Sequence, residues 1–367
     1  MSRLATASTL LAALLVAGCE RPPVDTVQRG YRGNGMEQVV NPRLHAAAAE
    51  ANRAPDVVPP VPEGGPRASE IFQNVQVLGD LSVSEFTRTM VAITNWVSPQ
   101  QGCNYCHNPA DMASDDPYTK RVARVMLRMT QKVNEDWKSH VAQTGVTCHT
   151  CHRGQPVPAK TWTTNPGYEM ASAFRPTGQN VAGVAAVGNT SLPYDPLTPF
   201  LKEAHEIRVA SGAALPSGHV SPIQDTERTY GLMMHFSESL GVNCTYCHNS
   251  RAFRSWEESS PARLTAWHGI RMVREINNEF IASTADYLPA DRKGPLGDPL
   301  KAGCNTCHQG AYKPLFGVAM APDYPALLTK MSTTARPPAP VEAAPAADAP
   351  AAEGVAAPAD GAAAAEG

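Results

Sequence analysis

Apolar residues recur at the three- and four-residue spacing of an amphipathic helix in two stretches of the first half of the chain. The first stretch follows Ser82, which together with Glu85 has the order of a capping box, and it stops before Pro99. Its apolar positions are Val83, Phe86, Met90, Ile93 and Val97. The second set of positions is Val122, Met126, Met129, Val133 and Trp137. Because His140 continues this second face, we predict two helices with methionine on their buried sides, the second extending to a histidine.

Two further helices are predicted in the second half of the chain. One covers residues 226–240 and carries the adjacent pair Met233 and Met234. The other begins at Ser260 and Pro261, which suit the N-cap and the first helical position, and runs to about residue 280. Methionine on an apolar helix face usually packs in a core, so these patterns alone identify no functional site.

The composition excludes one class of function and raises a question about the interior. The chain has 367 residues, a formal net charge of −3 and no basic cluster. A nucleic-acid-binding protein normally shows a basic surplus or patch, so we expect no nucleic-acid partner. Only 6% of the residues are aromatic although 43% are hydrophobic. We therefore expect something other than aromatic side chains to fill part of the interior.

Eight of the nine cysteines fall into four copies of the sequence Cys-x-x-Cys-His. The cysteine pairs are Cys103 and Cys106, Cys148 and Cys151, Cys244 and Cys247, and Cys304 and Cys307. The histidines that follow them are His107, His152, His248 and His308. Two thiols at this spacing reach the two vinyl groups of one haem, and the next histidine is placed to bind its iron. The four motifs thus predict four covalently bound c-type haems.

Two other interpretations of the motifs are a zinc half-site and a redox-active dithiol. Zinc would not require a histidine directly after the second cysteine in every copy, so the repetition favours haem. With eight cysteines assigned to four haems, only Cys19 remains, and we expect no disulfide.

The motifs also form two pairs. The first and third share Tyr-Cys-His-Asn, whereas the second and fourth share Thr-Cys-His-x-Gly. This is an internal repeat of a two-haem unit. A segment between the pairs, residues 155–199, is rich in proline and glycine and is typical of a long irregular connection.

The first residues have the features of a bacterial lipoprotein signal. Arg3 is followed by an apolar run too short to span a bilayer comfortably, and small residues precede Cys19. We predict acylation of Cys19, with an ordinary signal peptide as the alternative. No later segment is apolar for long enough to span a membrane.

These features divide the chain into six parts. They are a lipoprotein signal peptide (1–18), an extended N-terminal segment (19–68), a first dihaem module (69–165), a Pro/Gly-rich connection (166–200), a second dihaem module (201–325) and a disordered Ala/Pro-rich tail (326–367).

An iron bound by one histidine keeps a second axial position, and what fills it separates an electron carrier from a catalyst. Thioether and imidazole side chains are suitable ligands. The pattern does not choose between Met126 and Met129, or between Met233 and Met234. Two further candidates are His235 and His268, because they lie close to predicted helices.

The chain resembles the tetrahaem cytochrome c subunit of the purple-bacterial photosynthetic reaction centre. The segments that carry the resemblance are the lipobox, residues 30–36, 77–90 and 140–148, and the four motifs. The resemblance implies a mainly α protein with little sheet, built from two pseudo-symmetric dihaem modules with long irregular connections. It implies the sixth ligands Met90, Met126, Met233 and His140 for the first to fourth haems. Three irons would then have His/Met ligation and one would have two histidines.

One asymmetry in the sequence agrees with this ligand set. Aligning residues 126–134 with residues 269–277 places Gly269 opposite Met126 and Met272 opposite Met129. The second repeat therefore lacks the equivalent thioether, and the fourth haem needs a ligand from elsewhere. The resemblance assigns that role to His140.

The resemblance also implies a function and a location. The chain would pass electrons from a soluble periplasmic cytochrome c or high-potential iron–sulfur protein to the photo-oxidised bacteriochlorophyll special pair, with the third haem nearest to the pigments. It would be lipid-anchored at the periplasmic face of the inner, photosynthetic membrane, bound to the reaction-centre membrane subunits, and would do no bond chemistry. The alternative is a multihaem oxidoreductase, which would need an iron with an open position.

Overall fold

The computed structural model describes residues 24–29, 35–164, 195–209 and 222–329. The predicted signal peptide, Cys19, nearly all of the Pro/Gly-rich connection and most of the C-terminal tail lie outside the described residues. The predictions for those segments therefore stay predictions.

The described part of the chain is mainly helical with little sheet, which confirms the predicted fold class at this level. The α-helices are α1 (Pro42–Ala51), α2 (Ala68–Ile71), α3 (Val83–Val97), α4 (Tyr118–Asp136), α5 (Lys138–Val141), α6 (Cys148–His152), α7 (Thr198–Leu201), α8 (Pro222–Leu240), α9 (Pro261–Glu275) and α10 (Cys304–His308). Two small antiparallel sheets pair β1 (Asp25–Gln28) with β2 (Glu37–Val40) and β3 (Thr161–Trp162) with β4 (Lys301–Ala302).

The predicted helix starts are confirmed at α3 and α9. The Ser82 hydroxyl accepts a hydrogen bond from the Glu85 backbone N–H at 3.2 Å, as an N-cap does. Ser260 precedes Pro261, the first residue of α9, and α9 continues into a π-helical turn at Ile276–Ile281. One prediction was wrong in detail: α4 ends at Asp136, and a break at Trp137 places His140 on the separate short helix α5.

Two hydrophobic clusters form the core. The first joins α3 and α4 to the segment around Tyr324, whose ring meets Trp96 edge-on with 4.7 Å between the ring centroids. The second packs Phe200 of α7 and Leu232 of α8 against Ile270 of α9. The clusters fix the four long helices around the cysteine motifs. No helix in the described ranges is both long and apolar enough to cross a membrane.

Candidate functional site

The first and third cysteine motifs have the same local structure. Each forms a 3₁₀ turn, at Gly102–Tyr105 and at Cys244–Tyr246. In each, the motif histidine N–H donates to the carbonyl of the first cysteine, at 3.0 Å. A hydroxyl at the start of the following long helix then donates to the tyrosine carbonyl within the motif: Thr119 to Tyr105 and Ser260 to Tyr246. Each of these motifs is thereby held to the helix that follows it.

The second and fourth motifs share a different structure, the five-residue helices α6 and α10. In both helices the N–H of the residue before the helix donates to the hydroxyl of the third helical residue. The Thr147 N–H donates to Thr150 at 2.9 Å, and the Gly303 N–H donates to Thr306 at 2.8 Å. Both end in a left-handed residue followed by a left-handed glycine. The pairing of motifs that the sequence predicted is therefore present in their backbone geometry.

All four motif histidines are oriented in the same way. The Nδ1 atoms of His107 and His248 lie 3.1 and 3.0 Å from the carbonyl oxygens five residues ahead. Those of His152 and His308 lie 2.9 Å from the carbonyl oxygens three residues ahead. With Nδ1–H donating to a carbonyl, the Nε2 lone pair is left to bind a metal. Burial lowers the pKa of His308 to about 4 and lowers the pKa of His152 as well, which favours the neutral imidazole that a metal requires.

Two cavities lie beside three of these histidines, His107, His152 and His308. One of about 770 Å³ is lined by both cysteines and the histidine of the first motif and by Met90 and Met126. Another of about 530 Å³ is lined by Met126, His140, His152 and His308, among others. Both volumes lie in the range of cofactor pockets, and thiol, imidazole and thioether groups are what a c-type haem needs. The residues present therefore fit covalent haem. Met233 lines neither of these two cavities and packs against the second hydrophobic cluster.

The His140 side chain lies beside the histidine of the fourth motif. Its ring centroid lies 6.1 Å from that of His308, with 67° between the ring planes. Its Nδ1 lies 2.9 Å from the Thr265 carbonyl of α9, which leaves Nε2 free as in the motif histidines. Two imidazole nitrogens, each about 2 Å from one metal ion on opposite sides, put the ring centres about 6 Å apart. The two histidines thus have the spacing of a pair of axial ligands.

Gly269 makes room for this imidazole. A Cβ atom built on Gly269 would lie 2.5 Å from His140 Cε1 and 2.9 Å from its Nδ1. The position that the sequence alignment placed opposite Met126 is therefore the one against which the His140 ring packs. Any larger residue there would displace the ring.

Comparison with known proteins decides the family. A model of the family described as photosynthetic reaction centre cytochrome C subunit matches residues 20–328. The chain is 54% identical to the photosynthetic reaction center cytochrome c subunit of Thermochromatium tepidum, over 92% of this chain and 84% of that protein. It is 57% identical to the subunit of the same name from Rubrivivax gelatinosus, over 86% of this chain and 87% of that protein.

The chain belongs to the family of photosynthetic reaction centre cytochrome c subunits. Membership gives this cytochrome subunit covalently bound haem and an electron-transfer role in photosynthesis. Its chemistry therefore rests on the groups that hold, orient and surround each haem.

Two asparagines of this cytochrome subunit, at aligned positions of the sequence, make similar contacts. The Asn134 side chain in α4 donates to the carbonyls of Val146 and Leu327 and accepts from the Val146 N–H, at 2.7 to 2.9 Å. Asn277, which follows α9, donates to Leu201 and Ala302 and accepts from the Ala302 N–H, at 2.8 to 3.0 Å. Each asparagine thus holds the backbone two residues before an attachment helix.

His235, one of the open ligand candidates, has a different role in the structure. It is 2% exposed, and its Nε2 lies 3.1 Å from the backbone N–H of Cys304 at the start of α10. Burial lowers the pKa of His235 to about 4, so the neutral ring can accept that bond. His235 therefore supports the fourth attachment helix and does not offer its Nε2 to an iron. His268 contacts the neighbouring Trp267 ring, with 5.1 Å between centroids.

The N-terminal hairpin covers the third motif, a contact that sequence reasoning missed. The Val39 N–H donates to the Asn243 side chain at 3.0 Å, and Asn243 donates to the Glu37 carbonyl at 2.8 Å. The Arg29 guanidinium lies over the Tyr246 ring, 5.1 Å from its centroid. Because β1 is fully exposed and pairs only locally with β2, no hydrophobic pattern indicated this position.

One observation differs from the expectation that the cytochrome subunit contains no disulfide. Cys151 and Cys307 are bonded to each other, with 4.5 Å between their Cα atoms. The cause is the packing of α6 against α10, which the linear order of the motifs does not reveal. Arg153 after α6 donates to the Cys307 carbonyl at 3.2 Å, and Gln309 after α10 donates to the Cys151 carbonyl at 3.5 Å. The other six motif cysteines are free.

Proposed function

We propose that this cytochrome subunit binds four haems and carries electrons from a soluble periplasmic donor to the photo-oxidised bacteriochlorophyll pair of a reaction centre. When bound, haem supplies one-electron redox chemistry at iron. The observation that carries the proposal is the common orientation of the four motif histidines, each with Nδ1 held by a carbonyl. Four sites with the same ligand arrangement indicate one chemistry used four times.

We assign the axial ligand pairs as His107 with Met90, His152 with Met126, His248 with Met233, and His308 with His140. Met90, His107, Met126 and His152 line one cavity, which supports the first two pairs. The 6.1 Å ring spacing supports the fourth. The third pair rests on the family resemblance alone. His/Met ligation raises the reduction potential relative to two histidines, so the four sites would differ in potential.

In the haem-bound protein all eight motif cysteines form thioethers, including Cys151 and Cys307. A sulfur in a disulfide cannot also bond a vinyl carbon, so the Cys151–Cys307 pairing and four complete attachments exclude each other. The matching capped helices and histidine contacts of the second and fourth motifs support attachment at both. Mass spectrometry of the purified subunit tests this, because eight thioether bonds leave no cysteine pair to form a disulfide that a reductant could cleave. A mass equal to two or three haems plus a disulfide would contradict it.

The four sites form two dihaem modules, residues 69–165 and 201–325. The reciprocal hydrogen bonds of Arg153 and Gln309 to the opposite motif support a two-fold relation between them. The equivalent contacts of Asn134 and Asn277 support the same relation.

The anchoring and orientation of the subunit follow from its N-terminus. We propose that Cys19 is acylated after removal of residues 1–18 and that the lipid holds the protein at the periplasmic face of the photosynthetic membrane. The hairpin of β1 and β2, which begins six residues after Cys19, packs on the third motif. This contact supports an orientation with the third haem toward the membrane and the reaction-centre subunits.

This cytochrome subunit is an electron carrier and does no bond chemistry of its own, because every iron has two side-chain ligands in the proposed set. Flash excitation of native membranes tests the function. We expect bound haem to be oxidised in step with re-reduction of the bacteriochlorophyll pair. Re-reduction of the pigment pair without a change in haem absorbance would contradict the proposal.

A further inference from the structure

Lys120 occupies an unusual place for a lysine. It is the third residue of α4 and is only 8% exposed, although lysine side chains are mostly exposed in folded proteins. Its ammonium donates to three consecutive backbone carbonyls, of Met112 at 3.0 Å, Ala113 at 2.7 Å and Ser114 at 2.8 Å. These bonds satisfy all three N–H donors of a charged group that would otherwise be costly to bury.

One of these carbonyls also serves the first motif. The Met112 oxygen lies 3.1 Å from His107 Nδ1 and 3.0 Å from Lys120 Nζ. A histidine that donates strongly through Nδ1 gains imidazolate character and stabilises ferric iron. The Lys120 ammonium, hydrogen-bonded to the same Met112 oxygen, draws electron density from that oxygen and makes it a weaker acceptor for His107. Both this effect and the positive charge itself favour ferrous iron.

The third motif lacks this arrangement. Its counterpart of Lys120 is Arg263, the third residue of α9, which donates to the Ser255 carbonyl and lies over the Trp256 ring. The His248 Nδ1 lies 3.0 Å from the Phe253 oxygen, and no cationic group donates to that oxygen in the described ranges. The first and third sites therefore differ in the carbonyl that orients the iron-binding histidine.

The nearest carboxylate does not cancel the Lys120 charge. Asp115 lies 3.5 Å from Lys120 Nζ but forms two hydrogen bonds of 2.8 Å with Arg124. The pKa of Asp115 is lowered to about 2, mainly because of its hydrogen bonds with Arg124. Two cations thus share one carboxylate beside the first motif, and the group keeps a net positive charge.

We infer that Lys120 is a positioning residue of the first haem, which orients His107 through the Met112 carbonyl and raises the reduction potential of that haem. This inference rests on the proposed function, because it takes His107 as an iron ligand. It applies to the first site only and predicts no change at the other three.

The test is a potentiometric titration of the purified full-length subunit, with each haem followed by its electron paramagnetic resonance signal. We expect Lys120→Met to lower the midpoint potential of the first haem and to shift its g values, with the other three haems unchanged. Lys132→Met is the matched control, since Lys132 lies on the same helix, has a side chain that is 43% exposed and pairs with Asp136. It removes the same charge and is expected to leave the first haem as in the wild type.

A first-haem potential in Lys120→Met equal to that in Lys132→Met, with four haems bound, would overturn the inference. If Lys120→Met binds fewer than four haems, Lys120→Gln and Lys120→Arg replace it. We then expect a lower potential for glutamine than for arginine, and equal potentials would overturn the inference. A wild-type protein without a first-haem signal would instead refute the proposed function, so the two failures are distinguishable.

Discussion

Two equivalent helices present different residues to the haem sites at one equivalent position. Helix α4 carries Met126, which lines both cavities, whereas α9 carries Gly269, against which the His140 ring packs. Asn134 and Asn277, which the sequence alignment places opposite each other, make similar contacts. In the proposed ligand set, His140 from the first module supplies the ligand that Gly269 of the second module cannot. This exchange would couple the two modules, because the fourth site is complete only when both are in place.

Removing His140 breaks the comparison most severely. We expect His140→Ala to leave the fourth iron with one axial ligand, since Gly269 offers none. The reduced protein should then bind carbon monoxide at one of its four haems, measured by optical titration. His268→Ala is the control, because His268 contacts Trp267 and lies close to the same site, and it should bind none. Carbon monoxide binding equal in the two variants would contradict the role of His140.

Replacing Met126 tests the other half of the comparison. We expect Met126→Leu to remove the thioether ligand of the second haem and to lower its potential, with the loss of its His/Met absorption band. Met129→Leu keeps a similar volume and should cost less than about 1.5 kcal/mol of stability with all four haem spectra unchanged. Loss of the band in Met129→Leu instead would assign the ligand to Met129.

Adding one carbon at Gly269 tests whether the empty position is required. A Cβ atom there would lie 2.5 Å from the His140 ring, so we expect Gly269→Ala to change the spectrum and potential of the fourth haem. The clash should also cost about 1–3 kcal/mol of stability. Gly231→Ala in α8 is the control. A Cβ atom there would lie 2.7 Å from Pro196 and would leave His140 untouched. An unaltered fourth haem in Gly269→Ala would show that the ring does not depend on this space.

The asparagines give the smallest expected effect. Asn134→Ala and Asn277→Ala each leave two carbonyls and one N–H without their side-chain partner. We expect each variant to lose about 1–3 kcal/mol in the free energy of unfolding, measured by denaturant titration with fluorescence detection. A loss confined to one of the two would mean that the repeats are supported differently.

Much of this site could be predicted from local patterns. The spacing of apolar residues placed α3 and α4, and the residues around each motif sorted the four motifs into the two kinds that the structure shows. The missing methionine at Gly269 indicated that a fourth ligand comes from elsewhere. Each of these signals lies within a short segment, where spacing alone determines which residues face the same way.

The contacts between distant segments could not be predicted in the same way. The pairing of Cys151 with Cys307 depends on how α6 packs against α10, and the contact of β2 with Asn243 spans about 200 residues. The burial of Lys120 also could not be predicted, because it depends on three backbone carbonyls that accept its hydrogen bonds, and the sequence does not show which carbonyls lie near a side chain. The contact of His235 with the Cys304 N–H, which excludes its Nε2 as an iron ligand, also joins distant segments.

In the proposed ligand set one iron has two histidine ligands, one from each module, while the other three have His/Met ligation. Near-infrared magnetic circular dichroism of the oxidised, purified subunit tests it most directly, because the two ligand sets absorb at different energies. We expect one bis-histidine signal and three His/Met signals of equal weight, with the bis-histidine signal lost in His140→Ala. Four His/Met signals, or a bis-histidine signal that survives in His140→Ala, would contradict it.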